Sequence, residues 1–170
     1  MKMLRLVPTS LLVVALLLGC AGVQPAPVVD RTIQKVYDVP GMTKDRIYDK
    51  SRIWIAKNFR SSKAVIEYEN KETGVIVGNG ITNYPVSGFM SAVAHEGWQV
   101  RFNMKEDMKD NKIRVTYENL TLLLPASKYS GPAEVPVSSQ SDIDALRSVL
   151  LSFSDQMVQY VRSSKDTDNW

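Results

Sequence analysis

The 170-residue chain carries 21 Lys and Arg against 18 Asp and Glu, for a formal net charge of +3, and a single cysteine. Two of the basic residues, Lys2 and Arg5, precede the first apolar run, so the rest of the chain holds 19 basic against 18 acidic groups with no concentrated cationic face. That balance argues against a nucleic-acid partner, which needs clustered positive charge to displace phosphate counterions, and the roughly 150 residues beyond the run suit one domain with its own core.

The start of the chain has the order of a bacterial signal peptide. Lys2 and Arg5 form a basic end, LLVVALLL from Leu11 to Leu18 is unbroken and apolar, and Gly19 precedes Cys20. The apolar run falls well short of the roughly 20 residues needed to span a hydrocarbon core, so it reads as a leader and not a transmembrane helix. Leu17, Leu18, Gly19 and Cys20 resemble the lipobox of bacterial lipoproteins. The resemblance implies cleavage before Cys20, a diacylglycerol thioether on its sulfur and an N-acyl chain, a palmitate-type anchor holding the protein to a membrane. As the sole cysteine, Cys20 has no intramolecular disulfide partner. Ala21 comes next, with no aspartate there; by resemblance to enteric lipoprotein sorting signals, this implies the outer membrane, the domain facing the periplasm.

Residues 21–30, AGVQPAPVVD, read as an extended tether, with Pro25 and Pro27 favouring about 3.1 Å per residue. RTIQKVYDV from Arg31 has strand-like alternation that Pro40 and Gly41 end. Thr43 can cap the next helix with Asp45 in its first turn, and Ile47, Ser51, Trp54, Ile55 and Phe59 recur at helical spacing. AVIEYE and VIVGNGIT flank a polar turn from Asn70 to Gly74, a hairpin pattern. In WQVRFNM, Trp98, Val100, Phe102 and Met104 form a dry phase. Its partner KIRVTYENLTLLL shifts phase between Tyr117 and Leu120, which predicts a bulge near Glu118 and Asn119. A long amphipathic helix closes the domain, with Ser141 as cap and Ile143, Leu146, Leu150, Phe153, Met157, Tyr160 and Val161 on one face. Thr82 to Gly97 and Pro125 to Gln140 take no clear assignment and stand as two long connections. The expected organisation is a signal peptide over 1–19, a lipidated N-terminus and tether over 20–30, one α+β domain over 31–163, and a polar tail over 164–170. The domain order is strand, helix, four antiparallel strands, helix.

The stretch from Val36 to Gly80, VYDVPGMTKDRIYDKSRIWIAKNFRSSKAVIEYENKETGVIVGNG, with KIRVTYENLTL later on, resembles the bacterial domain-of-unknown-function family described as having a TBP-like fold. The resemblance implies one antiparallel sheet with two helices packed on one face, in a secreted or lipid-anchored protein. It brings no active site, so no catalytic residue carries over.

The residues build no recognisable catalytic centre. His95 is the only histidine, and the serine of PVSGF, Ser87, lacks a glycine-flanked nucleophile elbow. One histidine and one lipidated cysteine cannot supply a zinc shell, and Glu106, Asp107 and Asp110 lack calcium-loop spacing and read as a solvated hairpin tip. Trp54 and Trp98 read as core; Trp170 ends the polar tail. Gly78 and Gly80 share one side of a strand, where missing side chains permit close packing or the approach of a small apolar ligand. The expectation is a membrane-anchored, non-enzymatic domain without cofactor that binds a protein or envelope component through its sheet face or its two long connections. The alternative is a carrier or sensor of a small hydrophobic ligand, held at Gly78 and Gly80 in a groove under the last helix, as in helix-grip folds.

Overall fold

Alternating segments pair into one antiparallel sheet in the computed structural model, which describes residues 30–58 and 65–163. β1 (Ile33–Asp38) leads to α1 (Lys44–Asn58), followed by β2 (Val65–Asn70) and β3 (Val75–Asn83). A short helix α2 (Gly88–Ala94) precedes β4 (Gln99–Lys109) and β5 (Lys112–Leu124), and β6 (Ala133–Pro136) precedes α3 (Gln140–Ser163). Across the sheet the order is β1-β5-β4-β3-β2, and β6 takes over the edge of β5 that β1 leaves at Tyr117. The fold class is therefore α+β with the expected order. α2 and β6 are additions, lying in the two connections that the sequence left unassigned.

One face of this sheet is dry. Val100, Phe102, Met104, Glu106 and Met108 of β4 stand beside Ile113, Val115, Tyr117, Leu120 and Leu122 of β5, all buried. α1 covers them with Ile47, Tyr48, Trp54 and Ile55, and α3 with Ile143, Leu146, Leu150, Met157, Val158 and Val161. Both helices lie on this same face and touch each other, Lys57 of α1 donating to the Tyr160 hydroxyl of α3 at 3.3 Å. Phe153 and Tyr160 only flank the buried stripe, and Phe59 lies outside the described residues.

The bulge falls where the phase shift predicts it. Arg101 faces Thr121 while Asn103 faces Glu118, so β5 carries one extra residue. Asn119 takes the left-handed backbone there, with φ 55°, a conformation that asparagine tolerates better than most residues. A second irregularity, between Ile66 and Tyr68 of β2, gave no phase signal in so short a strand.

The cap of α3 differs from expectation. Ser139, not Ser141, accepts the Asp142 amide on its hydroxyl at 3.1 Å, and its carbonyl accepts the Ile143 amide at 3.2 Å. This brings Asp142 into the first turn, where its charge suits the helix dipole. Thr43 opens α1 as expected, its carbonyl accepting the Ile47 amide at 3.0 Å.

Two contacts lock the sheet against the turns. The Gly74 carbonyl accepts the Met108 amide at 2.7 Å, and a Cβ at Gly74 (φ 68°) would meet the Met108 carbonyl at 2.6 Å, so only glycine fits. The tip of the β4–β5 hairpin docks on the entrance to α1: Asp110 Oδ1 accepts the Lys44 amide and Asn111 Oδ1 the Gly41 amide, each at 2.7 Å.

Candidate binding surface

Chemistry-bearing side chains divide between the covered and the open face of the sheet. On the covered face the Glu106 carboxyl is fully buried, and neither oxygen has a hydrogen-bond partner among the described residues. Burial pushes it up to about 8, and the Ser51 hydroxyl of α1 offsets part of this without reaching hydrogen-bond geometry. Nearby, the Tyr117 hydroxyl and Ser154 Oγ of α3 share a buried hydrogen bond of 2.8 Å. A neutral carboxyl could donate a proton, but this one has no solvent exposure through which to meet a substrate.

Glu106, Asp107 and Asp110, neighbours in sequence, go to three places. Glu106 points into the core, Asp107 is held by Arg114 at 2.9 Å and Lys105 at 3.0 Å on the open face, and Asp110 caps α1. The reading of all three as a solvated hairpin tip is corrected for Glu106. Among the described residues no cluster of three or more His, Cys, Asp or Glu could hold a metal ion.

Gly78 and Gly80 do lie on one side of β3, both buried, facing Met104 and Phe102 of β4. The room above Gly80 is filled: a Cβ there would meet Phe102 Cε2 at 2.7 Å, and the same ring packs edge-on against Tyr117 with centroids 5.5 Å apart. The hollows along α3 lie elsewhere. One of about 430 Å³ is lined by Tyr37, Asp155 and Arg162; one of about 600 Å³ by Asp38, Arg46, Lys50 and Arg162. Charged groups rim both, while Val158 lines the first and Met42 and Val161 line the second.

His95 ends α2 and belongs to an aromatic cluster. It stacks on Tyr84 at 4.8 Å and meets Trp98 edge-on at 4.6 Å, while its Nδ1 lies 2.9 Å from the Ser91 carbonyl. The Tyr84 hydroxyl donates to Asp142 of α3 at 2.6 Å; burial and then that hydrogen bond push it up to about 12. This cluster roots the α2 segment to the body, and no sequence periodicity signals it, because Tyr84 and Asp142 are 58 residues apart. Ser87 precedes α2 with no side-chain cap. Trp54 is buried and Trp98 partly so. Cys20 and Trp170 lie outside the described residues.

Among the described residues the open face carries no helix. Gln34 and Val36 of β1, Arg114 and Thr116 of β5, Asn103 and Lys105 of β4, Val77 and Asn79 of β3 and Tyr68 of β2 share it by register. Tyr68 and Val36 are each about half exposed, at 52% and 53%. Asn79 donates to Glu67, and Arg101 forms a two-pronged pair with Glu134 at 2.8 Å. Toward the hairpin tip, a hollow of about 280 Å³ is lined by Val36, Asp107, Met108, Lys109, Lys112 and Arg114. Its volume lies at the lower end of the roughly 300–1,000 Å³ of small-molecule sites, and it has room for one or two side chains of a partner.

Comparison with known proteins agrees with this architecture. A family model described as a domain of unknown function (DUF4468) with TBP-like fold matches residues 34–122. A DUF4468 family protein from Bacteroides ovatus is similar in structure with TM-score 0.57 and 18% identity, over 83% of this chain and 92% of that one. A TBP-like protein from Parabacteroides distasonis is similar with TM-score 0.63 and 9% identity, over 82% and 99%. At such identities the likeness shows the fold alone. No curated protein matches the sequence.

Proposed function

The chain belongs to the DUF4468 family with TBP-like fold, and from that premise we propose that it is a lipid-anchored, non-enzymatic interaction module of the cell envelope, most consistent with the periplasmic side of the outer membrane. Its open sheet face binds a protein or another envelope component. The observation that carries this reading is the asymmetry of the sheet: α1 and α3 cover one face, while the other presents Val36, Tyr68 and a hollow rimmed by Lys109, Lys112 and Arg114. Such a mixture of half-exposed apolar groups and a polar rim suits a partner's side chains. The anchor part rests on Lys2, Arg5, the apolar run and Cys20. The carrier reading has less support, because Phe102 occupies the room above Gly80 where the ligand would sit.

The test is site-specific photocrosslinking in intact cells. A photoreactive residue at Thr116, on the open face, should capture a discrete partner, while one at Ile53, exposed on α1, should not. Equal capture from both positions, or none from Thr116, would remove the sheet face as the binding surface.

A further inference from the structure

Eight large hydrophobic side chains are well exposed among the described residues, and five of them gather at one end of the sheet. Val86, Met90 and Val93 belong to the segment carrying α2, exposed by 48%, 78% and 57%; Tyr129 at 89% and Val135 at 41% belong to the chain between β5 and α3. The register places them together. Asn83, the end of β3, faces Gln99; Gln99 faces Leu123; and Leu124 faces Ala133. Both segments therefore leave the sheet at the same end, and Gly97 comes close enough that a Cβ on it would touch Pro125 at 3.4 Å.

The character of this end suits a lipid surface. α2 holds no charged residue from Gly88 to Ala94, and Lys128 lies 5.5 Å over the Tyr129 ring, a basic and aromatic pair of the kind that favours the headgroup layer. The Tyr84, His95 and Trp98 cluster fixes α2 to the body, so its apolar side chains are presented without having to be ordered first.

The direction of the chain supplies the occupant. β1 runs antiparallel to β5, with Ile33 opposite Tyr117 and Asp38 opposite Lys112, so the polypeptide enters β1 from the α2 end. The distance from Tyr117 to the end of β5 at Leu124 is about 20 Å at strand rise. Residues 20–30 can reach about 30 Å when extended, which is enough for lipid at Cys20 and α2 to touch the same bilayer.

We infer that the α2 end, with Val86, Met90, Val93 and Tyr129, is a second membrane contact that stands the domain end-on on the bilayer holding its acyl chains, with the β4–β5 hairpin tip farthest from the lipid. This inference rests on the proposed anchor at Cys20.

The lipidated full-length mature chain carrying Met90→Cys, labelled with an environment-sensitive fluorophore, tests it in vesicles of phosphatidylethanolamine and phosphatidylglycerol. Cys20 is the only native cysteine and its sulfur is blocked by the thioether, so the label reports one position. Nitroxide lipids should quench the probe at position 90 several-fold more than the same probe at Ile53→Cys, with a blue-shifted emission. Equal quenching at the two positions, in a chain that floats with the vesicles, overturns the inference and leaves the anchor standing. A blue shift seen only in native envelopes, without quenching in vesicles, assigns the patch to a protein and also overturns it. A chain that does not float removes the anchor and the inference together.

Discussion

The ring of Phe102 stands where a side chain on Gly80 would have to go, its Cε2 2.7 Å from the position of a Cβ. β3 and β4 pair these two residues directly, and the ring completes the layer beneath α1 and α3 by packing edge-on against Tyr117.

Gly80→Ala should therefore overpack the core and destabilise the fold by about 1–3 kcal/mol in urea denaturation. Phe102→Leu, destabilising alone through the cavity it leaves, should cost less in the Gly80→Ala background than in the native one. Strict additivity of the two changes would mean that the ring is not what excludes the methyl group.

Glu106 sets a pH dependence with a definite sign. An unperturbed glutamate loses its proton near 4.5, whereas this one keeps it in the folded protein up to about 8. Between those values unfolding releases a proton, so this group's contribution falls as pH rises through the window and levels off above it. Relative to the native chain, Glu106→Gln should gain stability progressively between pH 5 and 8, on the order of several kcal/mol in all. Parallel stability curves for the two proteins across that range would show that the carboxyl is not held neutral.

The bond between Tyr117 and Ser154 ties β5 to α3 inside the core. Tyr117→Phe removes the hydroxyl while Ser154 keeps a weaker bond to the Leu150 carbonyl at 3.4 Å, so the loss should be about 1 kcal/mol. Ser154→Ala leaves the tyrosine hydroxyl buried and unpaired and should cost more, about 1–3 kcal/mol. Equal, negligible losses from both would contradict the bond's structural role.

At the hairpin tip, Asn111 combines a left-handed backbone, φ 64°, with a bond from its side chain to the Gly41 amide. Asn111→Ala loses the bond and must hold the left-handed backbone at a steric cost, about 1–2 kcal/mol in all, whereas Asn111→Gly loses the bond without that strain and should cost less. Hydrogen exchange in the first turn of α1 should accelerate in both variants, because the tip holds that turn through Asp110 and Asn111.

How much of this was readable in the chain depends on whether the controlling contact is local. The phase shift from Tyr117 to Leu120 located the bulge, and the apolar repeats located α1 and α3, because each reflects one element facing one core. The same rule, carried two steps past Met104, puts Glu106 and Met108 on the dry face. Grouping Glu106 with Asp107 and Asp110 by charge hid that signal. α2 is only seven residues long and β6 only four, ending at Pro136, so each spans about two periods, too few to stand out from chance spacing. The aromatic cluster at His95 and the filling of Gly80 by Phe102 are long-range contacts that no spacing encodes.

The envelope role depends on the anchor, and Cys20→Ala tests it most directly. Cells fed labelled palmitate should label the native protein, and the substituted chain should carry no label and accumulate as an uncleaved or mislocalised precursor. Labelling of the Cys20→Ala chain at the native level, with normal processing, would contradict the anchor and with it the envelope role built on it.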